Sequence, residues 1–554
     1  MLSPVSVLGQ DVARLKELKE IPKKKPFTYG GSLSIGAGSY TTNAATPRGN
    51  PYNWFITGSP WMKFYGIQVP FSFTYSETGR SLTHPFRYQF VGVSPYYKWA
   101  TLHLGYRTLK LGDYTLNGVV FKGAGVELKP GKFRFAAFYG ELNPAINPDT
   151  LQGDAGVILP SYQRIAYGGK LGIGSSRNYV DFSYFRGKDM PGSLKEVPSF
   201  ETIRPMDNVS FGPEFKFSFL KHFSLEGNLT LSLLTRNVLN DTLPETEELA
   251  TVYRFIRVNT STYGAYAGHI GFSMQYQRWG LGFRVKQVSS DFISLGINPI
   301  QDDLREYSMS PNFRMWKGKV SVNGTYGFYT DNLSGKRVST TVRKIYNTSV
   351  NLAYSQRLTA SIAYNNFGTT RNNGLIQMND SIVFSIINQS WQSNVNIGLG
   401  PEKKLFFLSL FGMYQQADDQ NIFTRAFNNS QIAMAGINGQ YEIPSWALNC
   451  GAGLSAARFE VANRTNTTYN YQLNLRRSFW KKKLTTGLNS SLTQRFEEQL
   501  KQGLVFSSQL NVQALLAKKH RLSLSCRLMR NTTGIVSNAA FNEQRINLLY
   551  GLQF

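Results

Sequence analysis

The chain has 554 residues, of which 14% are aromatic and 17% charged, and it contains 50 glycines, so it is too long and too aromatic to be a disordered segment. No uncharged apolar run approaches the roughly 18 residues that a membrane-spanning helix needs, which excludes a helical membrane protein. The formal net charge is +26, but no zinc-finger, helix-turn-helix or RNP-like motif accompanies it, so we expect no nucleic-acid partner.

The N-terminal residues precede the predicted strands. The opening MLSPVSVLG has no basic start but is apolar, and Val7-Leu8-Gly9 matches the small-x-small pattern of a signal-peptidase site. We interpret residues 1–9 as the remnant of a secretory signal, or otherwise as an N-terminal tail. Residues 10–27 then form a short periplasmic segment, which is long enough for a two-turn helix but not for a plug domain.

From residue 28 onward, apolar and polar residues alternate along the chain. Successive side chains of a strand point to opposite faces, so a period of two predicts strands with one apolar and one polar face. The alternation is clear at residues 225–233, 395–399 and 522–528. Division at the turn signals predicts about 26 strands, within a range of roughly 22 to 28.

The predicted connections alternate between short turns, such as Tyr65-Gly66, and long polar loops, such as residues 236–262 and 289–305. Short turns on one rim, long loops on the other and an even strand count are typical of a barrel of the bacterial outer membrane. The sequence therefore predicts an all-β fold: a single closed antiparallel transmembrane β-barrel over residues 28–554, with periplasmic turns and extracellular loops. A soluble propeller would instead show blade repeats of ~40 to 50 residues, and none is visible.

The chain ends in QRINLLYGLQF, with an apolar residue at every second position. This stretch resembles the terminal strand of bacterial outer-membrane β-barrels, which commonly end in an aromatic residue that the assembly machinery reads. The resemblance implies that Tyr550, Leu552 and Phe554 are an assembly signal, that the partners include outer-membrane lipid and the barrel assembly machinery, and that the protein resides in the bacterial outer membrane. The start at Gln10-Asp11 is similar to that of large barrels from Bacteroidota.

Four segments, SPWMKF, SPYYKW, GPEFKF and SPNFRM, place a proline a few residues before a short turn. Proline cannot donate to the strand ladder, so we expect bulges or bends near the periplasmic rim. Because alternate side chains of a strand face the lumen, this parity predicts that the cation three residues after each proline points inward: Lys63, Lys98, Lys216 and Arg314. They are either a basic collar at one height or four solvated residues near turns.

Parity predicts a further set of lumen-facing cations: Arg107, Arg134, Lys170, Lys286, Arg476, Arg495, Arg527 and Arg545. Ten of the twelve predicted short turns also carry Lys, Arg or His in or beside them. We therefore expect a positively charged periplasmic rim, which would attract anionic groups.

About 26 strands predict a barrel roughly 50 Å wide, which would leak if it were empty. The seal must come from loops folded inward, from lumen side chains, or from a protein partner or plug. One interpretation is a wide, basic-lined pore that serves as the barrel subunit of a translocation or assembly complex and is sealed by a partner. The alternative is a stand-alone, anion-favouring, porin-like channel narrowed by its own loops.

Catalytic chemistry has little support in the sequence. The chain has five histidines and two cysteines, and none has the spacing of a metal site or of a nucleophile motif. We therefore predict no enzymatic activity, no metal and no cofactor.

Overall fold

The computed structural model describes residues 27–77, 89–147, 160–195, 203–375, 385–401, 405–462, 464–533 and 540–554. Residues 1–26, which hold the predicted signal remnant and nearly all of the predicted periplasmic segment, lie outside this part of the chain. Within it, 29 strand segments pair into one antiparallel sheet.

The segments are β1 (Phe27–Gly30), β2 (Ser32–Thr42), β3 (Tyr52–Gly58), β4 (Trp61–Phe64), β5 (Ile67–Ser76), β6 (Gln89–Val93), β7 (Tyr96–Tyr97), β8 (Ala100–Thr108), β9 (Val120–Leu128), β10 (Phe133–Asn143), β11 (Arg164–Gly174), β12 (Tyr179–Asp189), β13 (Asp207–Phe219), β14 (Phe223–Thr235), β15 (Thr262–Gln275), β16 (Trp279–Val288), β17 (Leu304–Met315), β18 (Val320–Asp331), β19 (Ser339–Ser355), β20 (Leu358–Asn373), β21 (Ser385–Leu399), β22 (Phe406–Asp419), β23 (Ser430–Ile443), β24 (Leu448–Val461), β25 (Arg464–Phe479), β26 (Leu484–Glu497), β27 (Leu500–Ala517), β28 (His520–Thr533) and β29 (Phe541–Gln553). Two short helices, α1 (Ala250–Tyr253) and α2 (Arg425–Asn428), lie in loops. No helix among the described residues is long and apolar enough to cross a membrane.

Six of these segments combine in pairs, so the barrel has 26 strands. Gly30 faces Trp61 and Leu33 faces Gly58, which shows that β1–β2 and β3–β4 each run through a short break without a change of register. Strands β6 and β7 are likewise one strand interrupted at residues 94–95, because both pair with β8 in a single register. Strand β29 pairs with β2, which closes the sheet. The predicted closed antiparallel barrel of about 26 strands is confirmed.

The prolines of the four repeated segments disrupt the ladder without shifting its register. Strands break at Pro60 and Pro95, although both carbonyls still accept hydrogen bonds from the following strand, at 2.8 and 2.9 Å. Pro213 and Pro311 stay within β13 and β17, where the ladder to the next strand loses pairs but keeps its register. Of the predicted bulges or bends, bulges are excluded at these four sites by the unchanged register, because a missing N–H removes a bond without adding a residue.

The outer face of the barrel is apolar and ends in an aromatic rim. Ile173 and Phe182 point outward and are 65% and 51% exposed, as expected for side chains that meet lipid rather than a protein core. Five of the eight tryptophans lie in or beside short turns at one end of the barrel: Trp99, Trp279, Trp316, Trp446 and Trp480. Tryptophan is enriched at the membrane interface, so this rim marks one boundary of the bilayer.

Strand length divides the barrel into two parts. Strands β8–β18 have 9 to 14 residues and are joined at one rim by long loops. Strands β19–β28 have 14 to 18 residues, and at the same rim β26 and β27 are joined by Glu498-Gln499 alone. The part with short strands therefore holds most of the irregular chain, some of which folds into the lumen.

Candidate functional site: the lumen

Two loops fold into the barrel and contact each other. Inner loop 1 (residues 109–119) connects β8 to β9, and inner loop 2 (residues 289–303) connects β16 to β17. The Asn117 N–H donates to the Gly296 carbonyl at 3.0 Å, and the Ser294 hydroxyl donates to the Thr115 carbonyl at 3.2 Å. A Cβ atom at Gly296 would collide with the Thr115 carbonyl, so glycine allows the two backbones to approach this closely.

Hydrogen bonds fix inner loop 2 to the barrel wall. The Leu295 N–H donates to Asn208 Oδ1 at 3.0 Å, and the Ser210 hydroxyl donates to Ser294 Oγ at 3.2 Å. The Ser232 hydroxyl donates to the Ile293 carbonyl. Asn208, Ser210 and Ser232 are at most 1% exposed, so these polar groups on β13 and β14 are buried and satisfied by the loop.

Apolar contacts fix inner loop 1. Leu111 and Leu116 are at most 1% exposed and belong to one cluster with Phe121, Phe138 and Phe185 of the wall. These three phenylalanines occupy lumen-facing positions, where the sequence analysis expects polar residues. In the sequence, apolar residues at lumen-facing positions of β9, β10 and β12 were the feature that could have indicated a loop covering this wall. We call the lumen face of β9–β18 the loop-filled wall.

Ion pairs neutralise several cations of the loop-filled wall. Arg134 donates to both oxygens of Asp181, at 2.7 and 2.8 Å, and Lys170 Nζ lies 3.7 Å from the same carboxylate. Asp181 is 2% exposed. Lys216 Nζ lies 3.2 Å from a carboxylate oxygen of Glu226 on β14. The neighbouring carboxylates therefore offset much of the positive charge that these cations would otherwise present to the lumen.

Inner loop 1 carries charged and phenolic groups of its own. Lys110 Nζ lies 2.5 Å from Asp113. Burial is the largest single influence and opposes the charge, but the hydrogen bond to Asp113 together with the attraction of Asp113, Glu214 and Glu226 outweighs it and raises the pKa of Lys110. Burial, together with the nearby Asp113 carboxylate, raises the pKa of the Tyr114 hydroxyl to about 12. Tyr114 also contacts His269 of β15 edge to face, at 6.0 Å between ring centres.

The four cations of the proline segments do not share one position relative to the turns. Lys63 and Arg314 are the penultimate residues of β4 and β17, and Lys216 lies three residues before the end of β13. Lys98 belongs to the turn itself, with φ of +52°, because Tyr97 pairs directly with Ala100. Their positions relative to the turns therefore differ, and both the collar at one height and the pore-lining role of each cation stay predictions.

The remaining predicted cations divide between the two sides of the barrel. Arg107 donates to the Ser72 hydroxyl, and Lys286 lies in register between His269 and Glu306. Arg495 is exposed on the lumen face of β26. Arg527 and Arg545 are direct cross-strand partners on β28 and β29. Tyr550 and Leu552 point outward on β29, and the Phe554 backbone exchanges hydrogen bonds with Gly31 at 3.0 and 3.1 Å.

The opposite side of the lumen carries uncharged amides. We call the lumen face of β19–β28 the amide wall, because its Asn and Gln side chains recur at lumen-facing register positions and are all half-buried or exposed: Asn365, Asn388, Gln392, Asn394, Asn396, Asn438, Gln440, Asn449, Asn470, Gln472, Asn474, Asn489, Gln509, Asn511 and Gln513. The period-two recurrence of Asn and Gln was the sequence signal for this surface. Amides both donate and accept hydrogen bonds, so the wall offers contacts to polar solutes of either kind.

A recess of about 540 Å³ opens in the amide wall toward its short-turn end. Its lining includes Asn449, Asn474, Arg476 and Asn489. Gly487 forms part of the floor, where a Cβ atom would meet only one backbone oxygen at 3.9 Å. The recess is thus a space bounded by amides and one guanidinium.

Other chemistry-bearing residues do not assemble into a reactive cluster in the described ranges. No group of three or more His, Cys, Asp or Glu side chains there is placed to hold a metal ion. His103 lies between Ser94 and Glu127, at 3.0 and 3.3 Å. Cys450 and Cys526 are free thiols on strands four apart.

No family model matches the chain, and no curated protein matches its sequence. Among solved structures, it is similar to a chain of the E. coli P pilus tip assembly intermediate PapC-PapD-PapK-PapG, with a TM-score of 0.45 and 10% identity over 94% of this chain but only 60% of that one. It is also similar to Acinetobacter baumannii OccAB4 (TM-score 0.28, 10% identity, 95% and 98% covered). A third is the pyoverdine outer membrane receptor FpvA from Pseudomonas aeruginosa (TM-score 0.36, 9% identity, 96% and 79% covered).

These similarities concern barrel architecture and carry no argument about function. The class of the protein follows from its own geometry. An even number of strands, a closed antiparallel sheet, an apolar outer face and an aromatic rim identify the chain as a β-barrel of the bacterial outer membrane.

Proposed function

We propose that this barrel is an outer-membrane channel whose open path runs along the amide wall and is narrowed by inner loops 1 and 2. The observation that carries the proposal is the difference in exposure between the two sides of the lumen. Thr230 of the loop-filled wall is fully buried, whereas Asn489 of the amide wall is exposed. Water and solutes therefore have access to one side only.

The charges of the open side favour anions. Within the described residues, Arg476, Arg495, Arg527 and Arg545 have no carboxylate within ion-pairing distance, whereas Arg134 and Lys170 share Asp181. Unpaired guanidinium groups beside a water-filled path raise the local concentration of anions. This supports the porin-like alternative of the sequence analysis.

Cysteine accessibility tests the path. In a background with Cys450 and Cys526 replaced by alanine, we expect Asn489→Cys to react with a water-soluble thiol reagent and to lower the current across a planar bilayer. The matched variant Thr230→Cys, at a buried lumen-facing position, should stay unmodified with unchanged current. Equal reaction at both positions would refute the proposed path.

A second candidate is the barrel subunit of a translocation or assembly complex. It is supported by the amide wall, which the described residues leave uncovered in a barrel roughly 50 Å wide. Amide side chains can pair with the N–H and C=O groups of an extended polypeptide, so a partner segment could rest there. In this case, Asn489→Cys would be protected from the reagent in intact outer membranes but reactive in the purified barrel. Equal reactivity in both preparations would favour the stand-alone channel.

A further inference from the structure

We propose that Arg48, Arg527 and Arg545 form a binding site for a small oxyanion, a phosphate or carboxylate group, on the lumen face where β29 closes on β2. The site deepens the proposed channel function and rests on it for its physiological role. Binding itself requires only the folded barrel.

The arginines converge from two strands and a loop. Arg527 of β28 faces Arg545 of β29 directly, and Arg545 faces Tyr40 of β2 in register. Arg48 lies in the loop after β2, and its backbone N–H donates to the Tyr40 hydroxyl at 3.2 Å. With Met529, these side chains line a cavity of about 150 Å³. A water molecule needs about 10–15 Å³ on this measure, so the cavity has room for an oxyanion with part of its hydration shell.

The cavity has an excess of positive charge. Its lining contains three arginines and one carboxylate, Glu543, for a net charge of +2. Arg48 Nε lies 3.7 Å from Glu543 Oε1, and the Tyr40 hydroxyl donates to the same oxygen at 3.0 Å. In the described part of the chain, neither Arg527 nor Arg545 has an acidic partner. Like charges directly opposite each other destabilise a strand pair, so an anion bound between the two arginines would relieve their electrostatic repulsion.

The surrounding groups orient the guanidinium planes. Arg545 lies over the Tyr40 ring at 5.2 Å, and Arg48 lies over the Phe541 ring at 4.8 Å. Tyr40 is 4% exposed and hydrogen-bonded on both sides, so the platform under Arg545 is held in place. A guanidinium whose face is stacked keeps its N–H edge free for two parallel hydrogen bonds to a carboxylate or phosphate.

Other lumen arginines show what a purely structural role looks like. Arg134 of β10 pairs with Asp181 of β12 across the intervening β11, and Arg164 of β11 pairs with Asp189 of the neighbouring β12, both at 2.7 Å. On those strands the sequence supplies one acid for each arginine. Between β28 and β29, two arginines face each other with no acid between them. A bound anion would supply the missing negative charge.

The test is direct binding to the purified full-length barrel in detergent. We expect inorganic phosphate or acetate to bind in calorimetry and to raise the melting temperature more than chloride does at equal ionic strength. Tighter binding of phosphate than of acetate would assign a phosphate group, and the reverse a carboxylate. The double variant Arg527→Gln/Arg545→Gln should weaken binding at least tenfold. The matched control Arg521→Gln, at the lumen-facing position near the other end of β28, should leave it unchanged.

Two further measurements keep the proposal falsifiable. Glu543→Gln removes the competing carboxylate and should strengthen binding several-fold, an effect opposite in sign to a general loss of stability. If the double variant does not fold, Arg527→Gln alone serves in its place. Wild-type binding no stronger than that of chloride, or equal binding by wild type and the arginine variants, would overturn the site. A barrel that binds phosphate without conducting would retain the site and refute the channel.

Discussion

On the loop-filled wall, many lumen-facing side chains are buried beneath the inner loops, whereas on the amide wall the Asn and Gln side chains are half-buried or exposed. Both walls come from strands whose alternate side chains face the lumen. The difference lies in the connections: long loops at one rim of β8–β18 fold inward and bury their wall, while the longer strands β19–β28 have little chain left to do so.

The comparison teaches how parity should be interpreted in a large barrel. Parity alone assigns Arg134 and Arg495 to the same class of lumen-facing cation. Asp181 neutralises Arg134, and Arg495 stays exposed. A lumen-facing charge therefore acts on a solute only where neither a neighbouring acid nor an inner loop reaches it first.

The largest expected difference between the walls concerns core packing. Phe185→Ala should lower the free energy of unfolding by about 3–5 kcal/mol, because Phe185 is fully buried under inner loop 1. Phe411→Ala, at a partly exposed lumen position on β22, should cost only about 1 kcal/mol. Urea unfolding followed by tryptophan fluorescence measures both. Equal costs would show that the inner loop does not bury its wall.

A second test separates the charges. Asp181→Asn should cost about 3 kcal/mol, because it leaves Arg134 and Lys170 beside a nearly buried neutral group. On the amide wall, Asn474→Ser should change the unfolding free energy by no more than about 0.5 kcal/mol. The same urea titration applies. A neutral effect of Asp181→Asn would mean that the ion pairs of the loop-filled wall are not structural.

Ion selectivity sharpens the comparison. Arg476→Gln/Arg495→Gln should lower the anion-to-cation permeability ratio about twofold, and more at low salt, because screening is weaker there. Replacement of the four predicted collar cations Lys63, Lys98, Lys216 and Arg314 by Gln should have a smaller effect per charge, since Lys216 already faces Glu226. Reversal potentials in a salt gradient provide the measurement. A larger effect of the collar variant would show that the residues that determine selectivity lie at the periplasmic rim.

The smallest effect concerns pH. The pKa of Tyr114 is raised to about 12 from its ordinary value near 10, so the folded state favours the neutral phenol. Its contribution to stability is complete below pH 10 and falls as the pH rises from 10 to 12. Melting temperatures at pH 9 and pH 11 should therefore differ more for wild type than for Tyr114→Phe. An identical decline in both would show that another group titrates.

The sequence by itself determined the barrel. Alternation with a period of two, an even count of strands and an apolar last strand that pairs with the first follow from local side-chain chemistry, and the structure agrees on each. The lumen-facing positions of Arg134, Arg527 and Arg545 were predicted in the same way, because the alternation within a single strand is enough to tell which side chains point inward.

Only the tertiary structure decided which inward side chains meet solvent. The burial of Phe121, Phe138 and Phe185 depends on a loop that returns from another part of the chain, and the pairing of Arg134 with Asp181 depends on two strands that β11 separates. The convergence of Arg48, Arg527 and Arg545 depends on closure of the sheet between residues almost 500 positions apart. Period-two patterning carries no information about such contacts, because it specifies the face of a side chain and not its neighbour across the lumen.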